Sequence, residues 1–312
     1  MSSDPQLLLG IDIGGTKTAI IVGHPEKGIV ERTQIASGAE RGAEIMLADI
    51  EVEMAATLVR HPGVGAIGVS VGGPVDAEAG MVLGPPNLPG WDVVPLAKRF
   101  GDRFRLPTRI EHDAKACAFA EWRYGAGRGT RNMVFLTLGT GLGAGIIANG
   151  AILRGAGNLA GEIGHWRIAA DGPLIYGKRG SLEGWASGAG LPALARFLDP
   201  VRFDDVADAA VLAAQAASCD RAAMAVIEQS ANALGQGLAL LIDLLAPEVI
   251  VLGNLARRLG PMFLEAATAR ATEEALPALA GRSRIVCCEL GEGIGDMAAL
   301  AIAAEAVGVL KD

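Results

Sequence analysis

The glycine-rich stretch Leu9–Thr18 has the sequence LGIDIGGTKT. The apolar run Leu7–Ile13 predicts a buried strand, Gly14-Gly15 predicts a turn, and Ala19–Val22 predicts a second strand. A glycine turn between two strands brings backbone N–H groups together, which makes an anion site without side chains. The stretch therefore predicts a strand–turn–strand unit that holds a phosphate group.

A second glycine-rich stretch, Phe135–Gly143, repeats this pattern with the sequence FLTLGTGLG. Asp12 aligns with Thr137 and Gly14 with Gly139, so the two copies lie 125 residues apart. Solenoid repeats have much shorter periods of ~20–50 residues, so the spacing indicates a duplicated domain. Two equivalent turns would hold a polyphosphate from both sides.

The remaining periodicity alternates between strands and helices, which predicts an α/β fold. The predicted helices are Gly42–Val59, Ala114–Trp122, Arg221–Leu245 and a last one from about Asp296. The further predicted strands are Val64–Val71, Pro107–Ile110, Met133–Leu136, Ala144–Ile147, Glu248–Leu252 and Arg284–Cys288.

Composition and charge narrow the function classes. The chain has 312 residues and 51% hydrophobic residues, enough for two domains with large cores. Its 27 Lys+Arg against 35 Asp+Glu disfavour nucleic acid and membrane surfaces as partners. No run reaches the ~18 apolar residues of a membrane span, and the N-terminus lacks a basic secretory start, so a cytoplasmic protein is expected. The four cysteines have no CxxC spacing and are predicted to be buried free thiols.

Two other nucleotide-binding motifs fail on their context. The P-loop pattern breaks at Gly15, because Thr16 precedes Lys17 and a strand follows where that motif requires a helix. The dinucleotide fingerprint is formally present at Gly139–Ala144. However, Asn149-Gly150 between apolar pairs predicts a hairpin there instead of a helix.

The duplicated glycine turns are similar to the two phosphate loops of the actin and hexokinase ATPase fold. The chain resembles the ROK family (repressor, open reading frame, kinase), whose enzymes phosphorylate sugars with ATP. The matching segments are the phosphate motifs Leu9–Lys17 and Leu138–Gly143, the catalytic segment Glu111–Ala116, the sugar segment Gly161–His165 and the nucleoside segment Pro247–Gly253. Together these segments span nearly the whole chain in the family order.

The resemblance implies a duplicated, ribonuclease H-like α/β fold with two domains and an interdomain cleft. The expected small domain comprises residues 1–117 and 297–312, and the large domain comprises residues 118–296. ATP and Mg²⁺ are the implied cofactors, with the sugar bound in the cleft, whose closure would exclude water. The implied reaction phosphorylates the 6-hydroxyl of a hexose, with glucose first and an N-acetylhexosamine or fructose as alternatives. A homodimer or homotetramer is expected.

Asp113 is the implied catalytic base, although an Asp before an Ala-rich helix is also a common N-cap. Asp12 is suited to orienting Mg²⁺ through water. Lys17 would point to the other face of its strand, which is also compatible with a surface charge. The full implied nucleotide-binding set is Asp12, Gly14, Gly15, Thr16, Lys17, Thr18, Gly139, Thr140, Gly141, Gly253 and Asn254.

The sugar site is expected to contain carboxylates and other polar groups, because hydroxyls both donate and accept hydrogen bonds. His165 also has a structural alternative. The set that the resemblance implies is Gly73, Asn87, His112, Asp113, Glu162, His165 and Glu183.

Two departures from the family pattern affect these expectations. Many members bind zinc through three cysteines before the glutamate that matches Glu183, and Leu174, Tyr176 and Ser181 stand here instead. No structural zinc is therefore expected. His112 and Lys115 occupy positions where asparagine is common, which leaves the identity of the sugar open.

Three rival functions remain. A sugar-sensing repressor of the same family would carry a DNA-binding segment before the first phosphate motif, and six residues precede Leu7. A non-catalytic sugar-binding relic would lose Asp12, Asp113 or a glycine turn, and all are present. An ATPase or kinase of this fold could also act on an acceptor other than a sugar.

Overall fold

The computed structural model describes residues 6–308. Contacts divide the chain into two compact units. Of the described residues, unit 1 contains residues 6–124, the short segment Arg154–Leu159 and residues 292–308. Unit 2 contains Gly125–Leu153 and Ala160–Gly291. This division places all of the helix after Asp113 and the segment Arg154–Leu159 in unit 1, whereas the sequence-based division ends the small domain at residue 117.

The strands are β1 Leu7–Ile13, β2 Lys17–His24, β3 Gly28–Ala36, β4 Val64–Val71, β5 Val75–Asp76, β6 Met81–Val82, β7 Thr108–His112, β8 Met133–Leu136, β9 Ala144–Ala148, β10 Ala151–Ile152, β11 Leu174–Ile175, β12 Lys178–Arg179, β13 Val249–Leu252 and β14 Arg284–Cys287. The α-helices are α1 Ala43–Arg60, α2 Leu96–Phe104, α3 Asp113–Tyr124, α4 Leu182–Ala186, α5 Gly190–Leu198, α6 Ala209–Ala217, α7 Arg221–Leu245, α8 Asn254–Leu259, α9 Pro261–Glu274 and α10 Ile294–Ala306. Short 3₁₀ turns lie at Ala39–Arg41, Ala156–Asn158, Ile163–His165 and Gly291–Gly293.

Unit 1 is built on a five-stranded sheet with the order β3-β2-β1-β4-β7. β1 and β2 form the predicted antiparallel pair around the glycine turn, whereas β4 pairs in parallel with both β1 and β7. In this register Asp12 pairs with Ser70, and Val71 pairs with His112. The carboxyl ends of three parallel strands therefore meet at one edge of the sheet, which is the usual ligand side of such sheets.

Unit 2 repeats this plan with the sheet order β10-β9-β8-β13-β14. β8 and β9 enclose the second glycine turn as an antiparallel pair, and β13 runs parallel to both β8 and β14. Asn149 and Gly150 have φ values of 53° and 82°, so they form the predicted tight hairpin between β9 and β10. The same strand order in both units confirms the duplicated α/β fold.

The unit 2 core lies between its sheet and a layer of helices. The buried face of α7 contributes Val226, Leu234 and Leu238, which join Val134 and Leu252 of the sheet in one cluster. Among residues 6–308 no single helix is long and apolar enough to cross a membrane. Helices α6 and α7 reach that length and hydropathy only when taken together, and the chain bends by 120° between them.

The structure corrects the prediction that all four cysteines are buried free thiols. All four are free, but Cys219 is exposed and Cys117 and Cys287 are only partly buried. Cys288 alone among them is fully enclosed. The prediction of buried thiols is wrong for Cys219 because it follows α6 in a surface turn, where it adopts φ 63°.

Helix α10 packs against β1 and β4, and two glycines allow this close approach. A Cβ on Gly68 would lie 2.1 Å from the backbone N of Ala303, and one on Gly10 would lie 3.0 Å from Ala299 Cβ. Helix α10 thus covers the sheet that carries the first glycine turn.

Gly68→Ala should destabilise the protein by about 1–3 kcal/mol, because the added methyl group overpacks a contact between a strand and helix backbone. The measurement is the free energy of unfolding in urea. Gly63→Ala is the matched control, since a Cβ there meets no atom within 4 Å. Equal stability of the two variants would contradict the account of this contact.

Candidate active site

The first glycine turn is ordered by hydrogen bonds within the turn and to Ser37. The Gly14 N–H donates to the Lys17 carbonyl at 3.1 Å, and Ser37 Oγ donates to the Gly14 carbonyl at 2.6 Å. Thr18 is buried, and its hydroxyl lies 2.9 Å from Ser37 Oγ. This favours a role for Thr18 in ordering the turn over the predicted contact with phosphate. Thr16 and Lys17 are exposed beside it.

Gly15 and Gly72 pack against the loop that contains Asn87. A Cβ on Gly15 would lie 2.6 Å from the Asn87 carbonyl oxygen, and one on Gly72 would lie 3.3 Å from Asn87 Oδ1. The structure therefore brings Asn87 next to the first glycine turn and to the end of β4. Its side chain is exposed at this edge of the sheet.

Asp12 occupies the end of β1, against the first turn of α10. A Cβ on Gly295 would lie 2.4 Å from Asp12 Oδ2. Burial raises the pKa of Asp12 to about 6; the Ser70 hydroxyl lowers it, and the charges of Asp113 and Asp296 raise it further. Asp296 is itself bound by Arg32, whose Nε donates to Oδ2 at 2.7 Å.

The Asp12 environment fits a divalent cation that brings its other ligands with it. Asp12 is half-buried, and a partly desolvated carboxylate with carboxylate neighbours is stabilised by a nearby positive charge. No group of three or more His, Cys, Asp or Glu side chains within residues 6–308 could hold a metal by itself. Mg²⁺ commonly binds through one or two carboxylates, several waters and the substrate phosphates, which suits Asp12.

Asp113 begins α3 at the same edge of the sheet. Its Oδ1 accepts a hydrogen bond from the Ala114 N–H at 2.6 Å, and 54% of its side chain is exposed. His112 Nδ1 lies 3.4 Å from the same oxygen. The other side of the His112 ring faces Gly73, where a Cβ would lie 2.3 Å from Cδ2. The structure thus brings together Gly73, His112 and Asp113.

The second glycine turn is braced from two directions in unit 2. Thr137 Oγ1 accepts from the Gly143 N–H at 3.0 Å, which closes the turn. The Gly188 N–H donates to the Gly139 carbonyl at 2.7 Å, and the Ala189 N–H donates to the Thr140 carbonyl at 2.9 Å. Thr140 is exposed on this turn.

Glu183 is attached to this turn, which its sequence position did not predict. Its Oε2 accepts from the Leu142 N–H at 2.9 Å and would lie 3.1 Å from a Cβ on Gly141. The same oxygen would lie 3.3 Å from a Cβ on Gly164. Glu183 therefore connects the second phosphate motif to the predicted sugar segment, and one of its carboxylate oxygens is already used.

Glu162 precedes the 3₁₀ turn Ile163–His165, of which His165 is the last residue, and both side chains are exposed. Their side chains form no hydrogen bonds within the described residues, so they are available to a ligand. Gly161 holds their segment against β9, because its φ is 107° and a Cβ would lie 2.0 Å from the Ala144 carbonyl oxygen. The His165 carbonyl accepts from the Lys178 Nζ.

At the end of the predicted nucleoside segment, the side chain of Asn254 already forms hydrogen bonds within the protein. Asn254 Nδ2 donates to the Gly291 carbonyl at 3.0 Å, and its Oδ1 lies 3.2 Å from Cys288 Sγ. A Cβ on Gly253 would lie 2.9 Å from the Leu138 N, so this glycine permits close approach to the second glycine turn. Asn254 thus orders the start of α8, and a contact with nucleotide remains a prediction.

A model of the ROK family matches residues 8–306 of the chain. The chain belongs to the ROK family. The glucokinase of Thermotoga maritima is 30% identical to it, over 96% of this chain and 98% of that enzyme. The xylose repressor of Caldicellulosiruptor bescii is 29% identical, over 85% of this chain and 70% of the repressor.

Solved ROK structures share the fold. A ROK glucokinase from Streptomyces griseus, in complex with glucose and AMPPNP, matches with a TM-score of 0.80 and 30% identity, covering 96% of this chain and 99% of that one. The ROK hexokinase from Thermus thermophilus matches with a TM-score of 0.81 and 30% identity, covering 97% and 100%. These findings confirm the family and the hexokinase-type fold, and they support the predicted class of enzyme, an ATP-dependent sugar kinase.

In this ROK protein, the segment Leu174–Ser181, where many family members have zinc-binding cysteines, begins with a hairpin. β11 and β12 pair around Tyr176 and Gly177, whose φ values of 48° and 73° form a tight turn. Arg167 donates to the Arg179 carbonyl at 2.7 Å, and Ser181 caps α4 by accepting from the Gly184 N–H. Hydrogen bonds thus order the loop that precedes Glu183. The absence of structural zinc stays a prediction.

Sequence reasoning missed several polar residues that support the site. Ser37 and Asp296 lie far along the chain from the groups they contact, and no motif indicates them. Glu111 could have been identified from its position inside a predicted strand, because a carboxylate there is rarely buried without a partner. Its partners, Arg154 and Asn158, come from the segment between the second glycine turn and the sugar segment.

Asp12→Asn should stabilise the ligand-free protein at pH 7.5, by up to about 3 kcal/mol for a pKa shift of this size. The folded-state pKa of Asp12 is about 6 against an ordinary value of 3.8, so ionisation destabilises the fold as pH rises from about 4 to 6. The melting temperatures of variant and wild type are compared at pH 7.5 and 4.5. The gain should shrink at pH 4.5.

Asp102→Asn is the control, since Asp102 is an exposed partner of Lys98 on α2. It should leave the melting temperature nearly unchanged at both pH values. An Asp12→Asn variant that is less stable than wild type at pH 7.5 would contradict the assignment of a destabilising buried charge.

Proposed function

We propose that this ROK protein is a hexokinase that transfers the γ-phosphate of ATP to the 6-hydroxyl of a hexose, with glucose as the first candidate. The observation that supports the proposal most directly is the pair of carboxylates, Asp12 and Asp113, at one edge of the unit 1 sheet. There Asp113 is exposed next to His112, and its charge acts on Asp12 beside the first glycine turn. The full-length match to glucokinases, one of them solved with glucose and AMPPNP, supports the same function.

Asp113 is suited to accept the proton that the attacking hydroxyl loses. In kinases a carboxylate within hydrogen-bond reach of the acceptor alcohol is the usual proton acceptor. Oδ1 accepts from Ala114 N, whereas Oδ2 has no hydrogen bond within the described residues.

Asp12 and the glycine turns would hold the nucleotide. The backbone at Gly14–Thr16 and at Gly139–Gly141 supplies small, closely packed turns of the kind that bind phosphate through N–H groups. Asp12 would hold Mg²⁺ through water, and the bound ion would offset the negative charge of the phosphates. The exposed Lys17 and Thr16 would add side-chain donors beside the first glycine turn.

The sugar would be recognised by Glu162 and His165, whose side chains form no hydrogen bond within residues 6–308. Glu183 would use its remaining oxygen for a sugar hydroxyl while Oε2 holds the second glycine turn. His112 stands where the family commonly has an amide, so hydrogen bonds from its ring would have a different reach. An N-acetylhexosamine or fructose therefore remains an alternative to glucose.

Repressors of the same family share the fold, so the fold alone does not distinguish a kinase from a sugar sensor. A protein that only binds sugar needs neither a base nor a cation site. Asp113 is exposed and Asp12 carries the charge environment of a cation site, and both observations favour catalysis over the two non-catalytic rivals.

ADP release from ATP and Mg²⁺ should increase at least tenfold when the preferred hexose is added, in a panel of glucose, fructose, mannose and N-acetylhexosamines with a no-acceptor control. Asp113→Asn should lower kcat by about 10²–10⁴ and keep sugar affinity within severalfold, because only proton transfer is lost. Asp102→Asn is the surface control. Acceptor-independent ADP release, or near wild-type turnover by Asp113→Asn, would contradict the proposal.

Glu162 and Glu183 should differ in their effect on the two substrates. Glu162→Gln should raise the sugar KM by at least about tenfold and keep the ATP KM within about threefold, because a charged partner of a hydroxyl is lost. Glu183→Ala should raise both KM values, since it also frees the Leu142 N–H in the second glycine turn. If Glu162→Gln raises the ATP KM and leaves the sugar KM unchanged, the assignment of Glu162 to the sugar is wrong.

A further inference from the structure

The six residues Arg154–Leu159 have an unusual place in the chain. They follow β10, which belongs to unit 2, and they precede Gly161–His165, which also belongs to unit 2. Their own contacts nevertheless group them with unit 1. We call Arg154–Leu159 the inserted segment.

The inserted segment is anchored on a buried carboxylate. Arg154 donates to Glu111 Oε2 through Nη2 at 2.9 Å and Nε at 3.2 Å. Asn158 Nδ2 donates to Glu111 Oε1 at 3.1 Å and to the Val75 carbonyl at 2.9 Å. Glu111 is 1% exposed, so these hydrogen bonds replace the water that its carboxylate loses on burial.

The orientation of the Asn158 amide follows from its neighbours. Both groups at Nδ2 are acceptors, a carboxylate and a carbonyl, so only the NH₂ end can face them. Its Oδ1 is buried and has no partner within the described residues. An aspartate at this position would place a second carboxylate against Glu111.

Glu111 in turn holds the backbone next to the proposed base. Its Oε1 accepts from the His112 N–H at 2.9 Å, and Asp113 is the following residue. On the other side of Asp113, the 1% exposed Lys115 donates through Nζ to the Asn158 carbonyl at 2.9 Å. The inserted segment is therefore attached to the chain on both sides of Asp113.

We propose that Arg154 and Asn158 are positioning residues for phosphoryl transfer: through Glu111 and Lys115 they hold the junction of β7 and α3 so that the Asp113 carboxylate is correctly placed. This inference rests on the proposed function, in which Asp113 is the base. A displacement of about 1 Å at a reacting group can lower a rate by about 10²-fold, so loss of the anchor should act on turnover.

The first test compares steady-state kinetics of Arg154→Ala, Arg154→Lys and Asn158→Ser with wild type. Arg154→Ala and Asn158→Ser should each lower kcat by about 10–100-fold while the ATP KM stays within about threefold. Arg154→Lys should recover part of the loss, because it keeps the charge but not the two-pronged contact.

Arg109→Ala is the matched control. Arg109 lies on the same strand as Glu111 and forms an ion pair with Glu305 at 3.1 Å, but it is half exposed and touches neither side of Asp113. Its kcat should stay within about twofold of wild type. Circular dichroism establishes that each variant is folded at the assay temperature. If Arg154→Ala is unfolded, Asn158→Ser, which keeps the Arg154–Glu111 pair, carries the test.

A double-variant cycle separates positioning from general stabilisation. If Arg154 acts through Asp113, adding Arg154→Ala or Asn158→Ser to Asp113→Asn should lower kcat by less than about twofold further. Losses that multiply would overturn the inference, as would wild-type kcat in both anchor variants. Near wild-type turnover of Asp113→Asn would instead contradict the proposed function itself.

Discussion

The parallel pairing of β4 with β1 and β7 is the constraint on which the rest of unit 1 depends. Its register sets Asp12 beside Ser70 and His112 beside Val71. Because parallel strands end at a common edge, residues about one hundred positions apart in the chain become neighbours there. The first glycine turn, the proposed cation ligand and the proposed base all lie at this edge.

Three carboxylates, Asp12, Asp113 and Asp296, lie close to one another at this edge. Their repulsion lowers the stability of the ligand-free protein, and the same charges suit the proposed cation site. Asp113 and Asp296 both raise the pKa of Asp12, and Arg32 offsets Asp296 by direct contact. A ligand-free protein bears this repulsion, whereas a bound divalent cation relieves it. Sites that handle phosphate commonly accept such a loss of stability, because the same charges are needed in the reaction.

Much of the fold was predictable because its signals are local. The continuous apolar runs of β4 and β8 gave strands with the predicted bounds, and the Asn149-Gly150 pair gave the predicted hairpin. The dual position of Glu183 was not predictable, because its bond to Leu142 N joins residues 41 positions apart. The assignment of Arg154–Leu159 to unit 1 likewise depends on the path of the chain in space, which no sequence pattern records.

The central claim is that Asp113 faces the hydroxyl that receives the phosphate. A crystal structure of this protein with glucose and AMPPNP measures it directly. The account predicts that the sugar O6 lies within about 2.6–3.2 Å of an Asp113 carboxylate oxygen, the reach of a general base. A bound glucose whose O6 faces another residue, with no hydroxyl near Asp113, would contradict it.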